Sequence, residues 1–118
     1  FEPDPAIIRS GSIASICAHH GLAPIAPGIA YLTGNEPIDS PFLTRFTVLG
    51  TYTTEPKPLR KALAKLNVGR AEIKKRGTEL EPEAFRKKLK LDPKRPGEAT
   101  LIASPTLTGK HRVFLCER

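Results

Sequence analysis

The stretch that most constrains this chain is Gly69 to Leu91, GRAEIKKRGTELEPEAFRKKLKL. It changes period in the middle. Apolar and charged residues alternate over Ala71, Glu72, Ile73 and Lys74, which is a strand pattern. Gly77 breaks it. Glu81-Pro82 then opens a helix, with proline at the first helical position, where its missing N–H costs nothing. Glu81 is a poorer N-cap than Asp or Ser. Phe85 and Leu89 lie four apart and share a buried face, while Arg86, Lys87 and Lys90 point outward. If Ile73 faces the helices, Arg70, Glu72, Lys74 and Arg76 leave the strand on the opposite side, and Lys75 lies at the strand end near the helix.

The same alternation of periods continues on both sides. RFTVLGTYT, from Arg45, is β-rich, and Pro56 and Pro58 end it. Leu59, Ala62, Leu63 and Leu66 follow at helical spacing, and Gly69 closes that helix. Ala99 to Leu107 and His111 to Glu117 read as strands joined by a Thr108-Gly109-Lys110 hairpin. The expected fold is therefore α+β. Residues 45–118 form a two-layer, four-stranded mixed sheet in the order strand-helix-strand-helix-strand-strand, with helices near 58–67 and 82–91 on one face. Residues 1–44 are expected as an N-terminal helical extension, a helix near 4–20 and a Pro/Gly-rich connector that packs on this unit. Asp4-Pro5 starts the helix, Gly11 weakens its centre and Gly21 stops it.

Composition adds a charge asymmetry. Residues 57–95 hold 14 Lys/Arg against 5 Asp/Glu, whereas the whole chain carries a formal +7. A field confined to the central third favours nucleic acid or another polyanion, against the ordinary alternative of a solvated lysine-rich surface. Two cysteines a hundred residues apart imply no disulfide framework, and a cytoplasmic location is the default. There is no membrane-spanning run. The chain contains no Met and begins with Phe, so it is expected to be part of a longer polypeptide.

No catalytic constellation is legible. The serines lack a nucleophile-elbow context and no glycine-rich nucleotide loop occurs. Cys17, His19 and His20 with the distant Cys116 do not make the paired spacing of a metal site. Catalytic, metal and cofactor residues are therefore expected to be none. Tyr52 and Phe114 could stack bases but fit a core better. The site expected from charge and spacing is a nucleic-acid-binding surface of Arg70, Lys74, Lys75, Arg76, Arg86, Lys87 and Lys90, with the Gly77 turn bringing strand-end and helix cations to one edge.

VGRAEIKKRG, the EPEAFRKKLKL helix and the EATL strand resemble the THUMP-like C-terminal domain of actinobacterial S-adenosylmethionine-dependent methyltransferases. EPDPAIIRSG and IAYLTGN resemble the segment joining it to the methyltransferase domain. Where that family usually has Asp before the helix, this chain has Glu81. The strand–helix order also resembles the C-terminal domain of bacterial translation initiation factor three. The resemblance implies an accessory domain that binds tRNA or rRNA, beside its own upstream methyltransferase domain, which would hold S-adenosylmethionine. The rival expectations are a structural docking module that contacts no RNA, and a free-standing translation-factor-like module.

Overall fold

The computed structural model describes residues 1–117. In chain order it contains β1 (Glu2–Pro3), α1 (Pro5–Ser10), α2 (Ile13–His20), β2 (Ala23–Pro24), β3 (Leu32–Thr33), β4 (Leu43–Thr44), β5 (Thr47–Tyr52), α3 (Pro56–Lys65), β6 (Val68–Lys75), α4 (Pro82–Leu89), β7 (Gly97–Pro105) and β8 (His111–Glu117). The last four long strands form one mixed sheet, ordered β5-β8-β7-β6. β8 is antiparallel to both β5 and β7, while β6 and β7 are parallel and joined through α4. The α+β reading and its element order hold.

One face of the sheet is covered by helices. Leu59 and Leu63 of α3 and Phe85 and Leu89 of α4 are buried with Leu101, Ala103, Val113 and Leu115 of the central strands. Ile73 and Ala71 pack against the same cluster, so the alternation in β6 places Ile73 toward the helices. Arg60 of α3 ties the two helices together: its Nε and Nη2 donate to the Lys88 carbonyl at 3.1 and 2.7 Å. A cation at a helix C-terminus satisfies a carbonyl that the helix itself leaves open.

The other face is covered by the N-terminal third. Tyr31, Ile102 and Cys116 are buried together, with Ile25, Ile29, Phe46 and Phe114 against them. Because β7 is covered on both faces, Thr100 to Ser104 are buried without a break instead of alternating with exposed positions, and Thr100 and Ser104 are its buried polar members. β1 pairs with β4 and β2 with β3, so the connector is stitched to itself as it crosses the sheet.

Three sequence expectations need correction. α3 starts at Pro56, with that residue at its first position, so this proline opens the helix. α3 also ends before Leu66, where Asn67 turns left-handed at φ 60°; Leu66 is therefore exposed. Gly69 lies inside β6. The helix expected over 4–20 is two helices. Gly11, at φ 71°, caps α1 and donates to the Ile7 and Ile8 carbonyls, and Ser12 begins α2. Glycine reaches that conformation without the Cβ penalty that other residues meet.

The cysteines differ in setting. Cys116 is 1% exposed, and burial pushes its thiol up to about 11. Cys17 is half-buried and burial raises its thiol too. A disulfide-exchange reagent needs an accessible thiolate. At pH 8 we expect one thiol per chain, Cys17, to react with Ellman's reagent. Cys116 should react only after denaturation. Equal rates for both would mean that the connector does not seal the second face.

Candidate nucleic-acid interface

In β6, Lys75 stands on the opposite side of the strand from Arg70 and Lys74, whose positions alternate away from Ala71 and Ile73. Lys74 and Arg76 lie on the face that carries the connector. Lys74 Nζ is 3.0 Å from Glu2 Oε1 and 3.4 Å from Glu72 Oε1, and Arg76 Nη2 is 4.0 Å from Glu2 Oε2. The Arg76 guanidinium stands 5.3 Å over the Tyr31 ring centroid. Both Lys74 and Glu2 have side chains about one-fifth exposed, 20% and 21%. Burial works against the Lys74 charge, but the Glu2 and Glu72 carboxylates outweigh it and raise its pKa. Burial, then the Glu2 charge, pushes the Tyr31 hydroxyl up to about 12, against the opposing pull of Arg76. These residues form a clasp between β1 and β6.

The expected gathering of strand-end and helix cations at one edge does not occur. From the Gly77 turn α4 runs back along β6, so its C-terminal end lies beside the start of the strand. Arg70, Arg86, Lys87 and Lys90 surround a shallow depression floored by Gly69, Ala71, Leu91 and Pro93, with Glu83 on its rim. Lys75 is exposed at the far end of β6. Of the seven expected residues, four are brought together, Lys75 stands apart, and Lys74 and Arg76 face the other side.

Within the depression the cations differ. Arg86 is held in place: its Nη1 pairs with Glu83 one turn earlier and its Nη2 reaches the Ala71 carbonyl at 3.4 Å. Arg70 is 3.9 Å from Glu98, and both side chains are largely exposed, a contact of little energetic weight. Lys87 and Lys90 are exposed and enter no ion pair among the described residues. Lys90 caps α4 in the left-handed conformation, φ 49° and ψ 50°.

The helical layer adds cations absent from the expected site. Lys57, Lys61 and Lys65 of α3 and Lys88 of α4 are exposed, and α3 carries no acidic residue in its first turn. The signal was present in the charge count of residues 57–95, which includes them. The helical face is therefore basic, whereas on the connector face Lys74 and Arg76 are paired with Glu2. Tyr52 and Phe114 both pack against apolar clusters.

A mixed four-stranded sheet with two basic helices on one face and an ordered connector on the other defines a small two-layer α+β module. The chain belongs to the THUMP domain-like family, whose profile matches residues 43–118. Two uncharacterized S-adenosylmethionine-dependent methyltransferases of Mycobacterium tuberculosis, from strains CDC 1551 and H37Rv, are each 39% identical to it over 95 residues, 80% of this chain and 26% of theirs. The crystal structure of a candidate methyltransferase from Porphyromonas gingivalis W83 matches all of this chain with a TM-score of 0.75 and 26% identity, over 28% of its own length. The chain thus spans about a quarter of the length of the curated relatives it matches. Among the described residues no helix is long and apolar enough to cross a membrane.

Proposed function

We propose that this chain is the RNA-engaging, non-catalytic accessory domain of an S-adenosylmethionine-dependent methyltransferase, whose catalytic domain precedes it and binds the cofactor. The observation that carries the reading is the row of exposed lysines on α3 and α4 beside the Arg70–Arg86–Lys87–Lys90 depression. Phosphates are the partners such an array suits, because each cation that meets one releases counterions. Contacts of this kind position RNA and leave sequence unread. Support for the methyltransferase context comes from the relatives named above.

A second reading, docking without RNA contact, is favoured by the Glu2 pairs of Lys74 and Arg76. The two readings divide the molecule by face. The test is fluorescence anisotropy of labelled bulk tRNA titrated with the 118-residue chain at two salt concentrations. We expect weak binding that falls about 100-fold from 50 to 200 mM salt, as roughly four phosphate contacts would give. Absence of binding at 50 mM would transfer the function to docking.

A further inference from the structure

The two outer strands of the sheet are built differently. β6 is charged at four of its eight positions, Arg70, Glu72, Lys74 and Lys75, and charge on an outer strand discourages pairing with another chain. β5, TVLGTY, carries no charge. Among the described residues β5 pairs with β8 alone, and Thr47 to Tyr52 make no backbone hydrogen bond beyond that ladder. The N–H and C=O groups along its outer side are thus open to a further strand.

Its side chains are open too. Val48 is 55% exposed and Leu49 48%. The other exposed large apolar residues, Phe42, Leu66 and Leu107, are scattered along the chain, as lone surface hydrophobics commonly are. Val48 and Leu49 adjoin each other on the outer strand. The bulge between Val48 and Gly50 leaves Leu49 without a partner on β8. Charge is confined to the two ends of this stretch. Residues 46–54, FTVLGTYTT, are uncharged, with Arg45 before them and Glu55 after. Both end residues are exposed. Glu55 makes no side-chain cap bond to α3. Arg45 is 3.5 Å from Asp39, whose side chain is 97% exposed, a pair of little energetic weight.

We propose that β5 is the edge at which two copies of this chain associate, antiparallel about a two-fold axis, so that their four-stranded sheets join into one. The charge pattern selects a second copy as the occupant. Antiparallel pairing of β5 with itself sets the Arg45 end of each strand beside the Glu55 end of the other, so a single stretch supplies two ion pairs related by the axis. The uncharged middle meets its own copy without repulsion. The axis stands perpendicular to the sheet, because residues opposite each other on antiparallel strands share a face. Hence α3 and α4 of both copies lie on one side of the joined sheet. The inference stands on the edge alone and is independent of the RNA reading.

The test is sedimentation equilibrium of the 118-residue chain from about 10 µM to 1 mM. The average mass should rise with concentration from that of one chain toward that of two. Amide exchange of residues 47–52 should slow by at least about threefold over the same range. Arg45→Glu and Glu55→Arg each place like charges together at both ends, and each should raise the dissociation constant by at least about tenfold. An equimolar mixture of the two variants regains opposite charges at both ends and should associate like the parent. A net-charge effect predicts otherwise, since Arg45→Glu lowers the formal +7 by two and would strengthen association. Circular dichroism checks that each variant melts like the parent. Should either melt early, Leu49→Lys, which charges the edge of both copies, takes its place and should abolish association. A single-chain mass at every concentration overturns the inference and leaves the edge to another domain or to solvent. Association that leaves exchange at residues 47–52 unchanged overturns it too, as does a mixture of folded variants that stays monomeric.

Discussion

Gly69→Ala is expected to destabilise the domain by about 2–4 kcal/mol, lowering its melting temperature by roughly 10 °C. A Cβ on Gly69 would stand 2.3 Å from the Arg95 carbonyl oxygen and 2.7 Å from that of Asp92. Both obstacles are backbone, so no rotamer change relieves them. The turn that carries them is itself fixed: the Arg95 N–H donates to Asp92 at 3.0 Å, and the Gly97 N–H donates to Asn67 at 2.9 Å. Gly97 has the same constraint in mirror, since its Cβ would lie 2.7 Å from the Asn67 oxygen. The start of β6 and the approach to β7 therefore meet backbone to backbone, and glycine at both points permits it. Gly28→Ala is the control. Its φ is 75° but nothing lies within 4 Å, so only the left-handed strain applies, about 1–2 kcal/mol. The measurement is thermal unfolding followed by circular dichroism. A Gly69→Ala melt as high as that of Gly28→Ala would show that the turn yields.

That glycine also marks the limit of what periodicity reveals. Phe85 and Leu89, four apart, are buried together, and so are Leu59 and Leu63; local spacing reports which side of an element is apolar. Ile73 faced the helices for the same reason. The hairpin was legible because its turn residues carry their own geometry, with Gly109 at φ 83°. Gly69 reads in sequence as a helix stop. Its real constraint comes from Arg95, far along the chain, and no local pattern contains it. The basic site divides in the same way. Lys87 and Lys90 were legible as an exposed helix face. The fate of Lys74 was not, because its partner Glu2 is 72 positions away. A basic run in a strand alternates between faces, and the sequence does not show which face is already occupied. Lys61 and Lys65 lie outside the Leu59–Leu63 stripe of α3, but only the fold places that outer face beside α4, through Arg60 and Lys88.

Reversing the helical lysines is the variant expected to change RNA binding most. In Lys61→Glu/Lys65→Glu/Lys87→Glu all three positions are exposed and outside every ion pair among the described residues. Their loss leaves the cores untouched, so the melt should shift little. Affinity for tRNA at 50 mM salt should fall by about 100-fold or more, because three attractions become repulsions. The neutral version, with Gln at the same positions, should reduce the slope of log affinity against log salt by about three if each lysine meets a phosphate. Lys74→Gln behaves differently. Lys74 is already neutralised by Glu2 and Glu72, so its removal should leave the salt slope within about half a unit of the parent. The cost instead falls on folding, since Glu2 keeps only the 4.0 Å contact to Arg76. Because the Lys74 pKa is raised in the folded state, its share of the clasp is fully present at neutral pH and is lost as pH rises through that value, so both titrations are made near pH 7. Salt slope and melting temperature thus separate the two faces. If the triple variant binds like the parent while Lys74→Gln loses binding with its fold intact, the RNA surface lies on the connector side and the helical face is only a solvated exterior.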